Sequence, residues 1–152
     1  METLSKTPSR PEGIPEPTGE LPVTFERKFR PWRYVVGHSR LSIRSIDPNS
    51  APDHVEITFF GVLGVRLASV YQTLTIALAD KADAEDMFRF SGLRESQYSS
   101  ALCVALSSDS GTGHVVCVGC SVWLHTDKPD HIGRGGPRHD SILLARGRST
   151  GR

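Results

Sequence analysis

The chain reads as a mainly β, or β-rich α+β, domain: a small antiparallel sandwich, roll or partly closed barrel with one short helix. Three observations carry this. Apolar and polar residues alternate with a period near two from about Pro31 to His125. Only one short stretch, Asp80 to Gly92, repeats its apolar residues at helical spacing. Turn-forming clusters punctuate the rest.

Taken in order, Trp32, Tyr34 and Val36 alternate with Arg33 and Val35, and Gly37 to Ser39 supplies a tight turn. Leu41 and Ile43 then alternate with Ser42 and Arg44, and Asp47-Pro48-Asn49-Ser50 is a turn in which proline presets φ. Val55, Ile57 and Phe59 share one face of the next strand, and Glu56, Thr58 and Phe60 share the other. Gly61 and Gly64 predict a bend before a short strand near Val65 to Ser69. Leu74, Ile76 and Leu78 give the clearest alternation in the chain. In the helical stretch, Ala84, Met87 and Phe88 fall on one side, Asp80 caps the start and Gly92 ends it. Strands are expected again at Tyr98 to Leu106 and Gly113 to Leu124, the second the longest, joined by the Ser/Asp/Gly hairpin from Ser107 to Thr112.

Composition divides the 152 residues into a Pro-rich N-terminal tail (1–28), one domain (29–126) and a Gly/Arg-rich C-terminal tail (127–152). Pro8, Pro11, Pro15, Pro17 and Pro22, set among small and polar residues, offer little apolar surface to offset the entropy of ordering. The N-terminal tail is therefore expected to be disordered, and the Gly-rich C-terminal one to be flexible. Pro8-Ser9-Arg10-Pro11 has the spacing of a polyproline ligand, but reads more simply as linker.

Charge and hydropathy narrow the function. An apolar fraction of 38% with no long apolar run predicts no membrane segment, and residues 1–19 lack the apolar stretch of a secretory leader, so a cytoplasmic address is expected. The 29–126 segment carries 8 basic and 9 acidic residues, too balanced for a nucleic-acid footprint. Phe25, Phe29, Trp32 and Tyr34 interleave with Arg27, Lys28, Arg30 and Arg33, a pattern that can stack and hold single strands. The simpler reading places Trp32 and Tyr34 in the core and the arginines in water.

No motif for chemistry is complete. Cys117-Val118-Gly119-Cys120, with His114, His125 and Cys103 nearby, has the spacing of half a zinc knuckle, but its flanks continue as strand, where positions three apart point to opposite faces. Three cysteines without a leader are expected to be reduced and to pack as small hydrophobes. No metal site or cofactor is expected. His38 and Ser39, with Asp47, are the residues of a hydrolase reading, yet the Gly-x-Ser-x-Gly elbow is missing and a backbone-bonded turn explains them better. Ser110-Gly111-Thr112-Gly113 lacks the lysine and following helix of a phosphate loop. Asp80, Asp83, Glu85 and Asp86 fall where a helix N-terminus favours carboxylates, and His131 and His139 lie in the tail.

The segment Trp32-Arg33-Tyr34-Val35-Val36-Gly37-His38-Ser39-Arg40-Leu41, continued by Val55-Glu56-Ile57-Thr58-Phe59, resembles a family of small uncharacterised actinobacterial proteins. The similarity runs over roughly residues 30–80 and more loosely 98–124. It implies a bacterial, cytosolic protein and carries over no activity or site residue.

The function expected from the sequence is a non-enzymatic protein-interaction or regulatory module, with Arg44 on an exposed strand face as its partner-binding residue. The alternatives are a small-molecule-binding barrel lined by Phe59, Phe60, Val62 and Trp123, and the hydrolase at His38 and Ser39.

Overall fold

Alternation of large apolar residues with small polar ones gives each strand one face that must leave water, and two such sheets close over each other. The computed structural model describes residues 13–46, 53–125 and 141–148. Its strands are β1 (Gly19–Glu20), β2 (Val23–Phe25), β3 (Lys28–Val35), β4 (Arg40–Ile46), β5 (His54–Phe60), β6 (Gly64–Arg66), β7 (Leu74–Leu78), β8 (Leu102–Ser108), β9 (Gly111–Cys117), β10 (Gly119–His125) and β11 (Ser141–Arg148), with α1 (Lys81–Phe90) between β7 and β8. One sheet has six strands in the order β1-β11-β10-β5-β4-β3, and the other has five in the order β2-β7-β8-β9-β6. The β-rich sandwich expected from the sequence is the fold observed.

The core lies between the sheets. Leu41, Ile43, Val55, Ile57, Phe59, Val122 and Leu124 meet Leu74, Ile76, Val104, Leu106 and Val115, with Phe25, Phe29 and Tyr71 closing one side. Each fully buried aliphatic or aromatic side chain stabilises the fold by about 1.5–3 kcal/mol relative to exposure. Tyr71 is buried whole, its hydroxyl accepting the Ala68 N–H at 2.9 Å. Gly113 makes room for it, since a Cβ there would sit 2.3 Å from that oxygen.

The chain changes sheets at two stacked corners. At Gly61 (φ +60°), β5 of the large sheet gives way to β6 of the small one, and at Val118, β9 of the small sheet gives way to β10 of the large one. The Val118 N–H donates to the Phe60 carbonyl at 2.9 Å, and a Cβ on Gly61 would strike the Val118 side chain at 2.7 Å. The single long strand expected at Gly113 to Leu124 is therefore two strands.

That corner also corrects the geometry of the cysteine pair. Cys117 ends β9 and Cys120 is the second residue of β10, and both are buried in the core. As expected, all three cysteines are buried free thiols.

The helix forms as its sequence dictates. The Asp80 carboxylate accepts the Asp83 N–H at 2.8 Å, and Gly92 (φ +83°) follows the last turn. Met87 and Phe88 pack on Cys103 and Val116, so α1 lies against the outer face of the five-stranded sheet. Tyr98 belongs to a 3-10 turn, Glu95–Ser100, and β8 starts later than expected.

The tails need a larger correction. Strands β1 and β2 and the buried Ile14 fall in the expected N-terminal tail, and β11 in the C-terminal one. Leu144 and Ala145 of β11 are core residues, and β11 pairs along the whole of β10. The Asp47–Ser50 turn, His131 and His139 lie outside the described residues. No helix among the described residues is long and apolar enough to cross a membrane.

Candidate functional site

The outer faces of the two sheets differ. Helix α1 packs on the five-stranded sheet, whereas the six-stranded sheet turns outward a surface of arginine, aromatic, hydroxyl and histidine side chains. Cross-strand partners share a face, so the pairings map this surface row by row. One row joins Arg40, Phe60, Gly119 and Arg148, and the next joins Arg33, Ser42, Thr58, Ser121 and Arg146. Below these come Arg30, Arg44, Glu56, Trp123 and Leu143, and then His54, His125 and Ser141.

The upper rows form an open trough of about 390 Å³ whose lining includes Phe60, Val118, Ser121, Trp123, Arg146 and Arg148. The Trp123 indole N–H donates to Ser121 Oγ at 3.1 Å, which fixes the ring as one wall. Phe60 is the other wall, with the Arg40 guanidinium 5.1 Å from its ring centroid. Arg146 and Arg148 are exposed and form no ion pair among the described residues. Thr58 Oγ1, fully buried in the middle of the sheet, has no hydrogen-bond partner among the described residues.

The lower rows are a buried polar cluster. His54, Glu56 and His125 are 3%, 1% and 1% exposed. The His125 Nε2 donates to Glu56 Oε1 at 3.0 Å, while its Nδ1 lies 2.6 Å from Ser141 Oγ. Arg44 Nη2 is 3.8 Å from Glu56 Oε2, and the Trp32 ring covers its guanidinium at 4.6 Å.

These positions correct three expectations. Arg44 is 2% exposed, held between Glu56 and Trp32, so it is not a residue of an exposed face. Trp32 and Tyr34 are exposed, not in the core: Phe29 fills the core position of β3, Trp32 stands at the register slip between Pro31 and Arg33 and lies over Arg44, and Tyr34, paired with Leu41, is left exposed near the end of the edge strand. Of the four expected pocket residues, Phe60 and Trp123 do line the trough, whereas Phe59 and Val62 are buried in the core between the sheets.

His38 and Ser39 form the turn expected of them. They end a 3-10 turn in which the Ser39 N–H donates to the Val36 carbonyl at 3.1 Å and the Ser39 carbonyl accepts the Val62 N–H at 2.9 Å. His38 is exposed, and Asp47 lies outside the described residues.

Sequence reasoning missed His54, Glu56 and Thr58. Their signal was present, since His54 and Glu56 are two apart on a strand and share a face, but the partner His125 is 69 residues from Glu56 and comes into range only through the β5–β10 pairing. The thiols are chemically quiet. Burial pushes Cys103 and Cys120 up to about 11, with Asp83 adding to the effect at Cys103, and burial followed by the two neighbouring sulfurs raises Cys117 further still.

No protein-family model, curated protein or solved structure matches this chain.

Proposed function

We propose that this protein is a binding module that takes an acidic segment of a partner protein on the outer face of its six-stranded sheet. The observation behind the reading is the trough in which Phe60 and Trp123 form walls and the exposed Arg146 and Arg148 supply positive charge with no ion pair among the described residues. Arginine beside aromatic rings is the composition of interface hot spots, because the rings give rigid apolar area and the guanidinium binds carboxylates bidentately. A protein partner is favoured over nucleic acid because the charge is local while the chain as a whole has a formal net charge of only +1.

A face suits this role better than an edge. Strand β3 is an edge of the large sheet, but Pro31, a register slip and a run of basic residues blunt it against strand addition. The volume of the trough also falls in the range of small-molecule sites, so a free carboxylate ligand is the second reading.

Tryptophan fluorescence tests both readings, because the two tryptophans of the chain, Trp32 and Trp123, lie on this face. Poly-L-glutamate should give a saturable change that weakens with salt and falls at least about tenfold in Arg146→Glu/Arg148→Glu. Glutarate binding as tightly as the polymer would favour the small-molecule reading. Single-stranded DNA binding more tightly than poly-L-glutamate, or an unchanged response in the charge-reversed variant, would refute the proposal.

A further inference from the structure

The buried cluster beside the trough serves no purpose in binding an acidic segment, and its composition is that of a metal centre. His54 and Glu56 leave the same face of β5, and His125 on β10 is the direct cross-strand partner of His54. One donor atom from each of the three lies within 4.8 Å of the other two. The two imidazoles face each other with centroids 4.9 Å apart. A His-x-Glu pair on one strand and a histidine on the next thus converge on one point from a rigid scaffold.

We propose that His54, Glu56 and His125 bind a single divalent transition-metal ion, with zinc the best fit, and that Ser141 is a positioning residue for His125. Two imidazoles and one carboxylate suit zinc, which forms bonds of about 2.0–2.2 Å to both donor types and leaves a fourth position for water. Calcium and magnesium prefer all-oxygen shells. The separations between donors close to those of a tetrahedral ion by side-chain rotation, because all three residues already sit on adjacent, paired strands.

The chemistry of the ion-free cluster fits this exchange. At 3.0 Å, His125 Nε2 and Glu56 Oε1 share one proton. A metal ion takes the place of that proton, which passes through solvent to Nδ1 as His125 changes tautomer, so the nitrogen and the oxygen each gain a bond to the metal. Ser141 Oγ, 2.6 Å from Nδ1, then accepts the remaining ring N–H and keeps the Nε2 lone pair aimed at the ion. Arg44 occupies the side of Oε2, leaving Oε1 to bind in monodentate fashion. This site is separate from the Cys117/Cys120 pair considered from the sequence, and the proposal replaces the expectation of no metal.

The test uses the full chain, purified without chelator or affinity histidines. Elemental analysis should find one zinc per chain. After stripping, Zn²⁺ at about 100 times its Kd should raise Tm by about 10 °C or more. His54→Asn and His125→Asn should abolish stoichiometric uptake, and Ser141→Ala should weaken it about tenfold or more. Cys117→Ser and His131→Ala/His139→Ala should leave it unchanged. If a histidine variant fails to fold, the Co²⁺ form of the native chain decides: a tetrahedral spectrum without a thiolate charge-transfer band supports the site. No saturable uptake, uptake unchanged in folded His54→Asn and His125→Asn, or a thiolate band would each overturn it.

Discussion

Replacing Glu56 by glutamine keeps the shape of the side chain and removes its charge, which isolates the electrostatics of the buried cluster. Arg44 is 2% exposed and Glu56 1%, so the substitution takes a carboxylate away from a guanidinium in a region that water does not reach. Breaking a buried ion pair from one side costs about 3–5 kcal/mol, because the remaining charge loses its compensation and cannot be rehydrated. For a domain of roughly 100 residues this lowers Tm by at least about 12 °C. The measurement is thermal unfolding by circular dichroism in the presence of a chelator, so that loss of a bound ion does not enter. The pair itself is a different quantity. Arg44→Met/Glu56→Leu removes both charges together and should recover most of the loss, giving a coupling energy of sign opposite to the single effects. A Tm change below about 3 °C for Glu56→Gln, or a double variant as damaged as the sum of its parts, would refute the reasoning.

Three further outcomes follow from packing. Gly113→Ala should cost about 1–3 kcal/mol by overpacking, because the new methyl meets the buried Tyr71 hydroxyl and the Arg66 carbonyl; urea denaturation should show a lower midpoint with an unchanged slope. Deleting residues 141–152 should unfold the domain or lower its Tm by far more than 8 °C, since the deletion removes Leu144 and Ala145 from the core and uncovers β10; a small change would show that β11 does not hold the sheet. The three thiols favour the fold in their neutral form, so their contribution is complete below the ordinary value of 9.0, and that of Cys103 and Cys120 is lost as pH rises towards 11. Unfolding free energy should therefore fall from pH 9 to 11, and less steeply in Cys103→Ala/Cys120→Ala.

Local signals were legible and long-range ones were not. The alternation in β4, β5 and β7 placed Leu41, Ile43, Val55, Ile57, Phe59, Leu74 and Ile76 on faces that are indeed core. Asp80 and Gly92 marked the ends of α1 because capping is a matter of a few adjacent residues. Where the outcome depended on distant partners, the residues alone misled. Trp32 alternates with Arg33 as a core residue would, but Phe29 takes the core position of β3 and Trp32 lies over Arg44 of the neighbouring strand. The Cys117–Cys120 segment keeps the look of one strand, but the change of sheet at Val118 makes it two. Residues 141–148, embedded in glycine and arginine, hold only four apolar side chains, Ile142 to Ala145, and these suffice because β10 already offers a full row of backbone partners. The site was the least legible part, since the trough and the histidine cluster both arise from the pairing of β5, β10 and β11.

On the proposed reading, the outer face of the six-stranded sheet is where this protein meets its partner. Amide and indole chemical-shift mapping during titration with a short glutamate peptide tests it directly. The largest shifts should fall at the Trp123 indole N–H and at the amides of Phe60, Gly119, Ser121, Arg146 and Arg148, with β7, β8 and α1 undisturbed. Shifts concentrated on the five-stranded sheet or its helix, or no saturable shift at all, would contradict it.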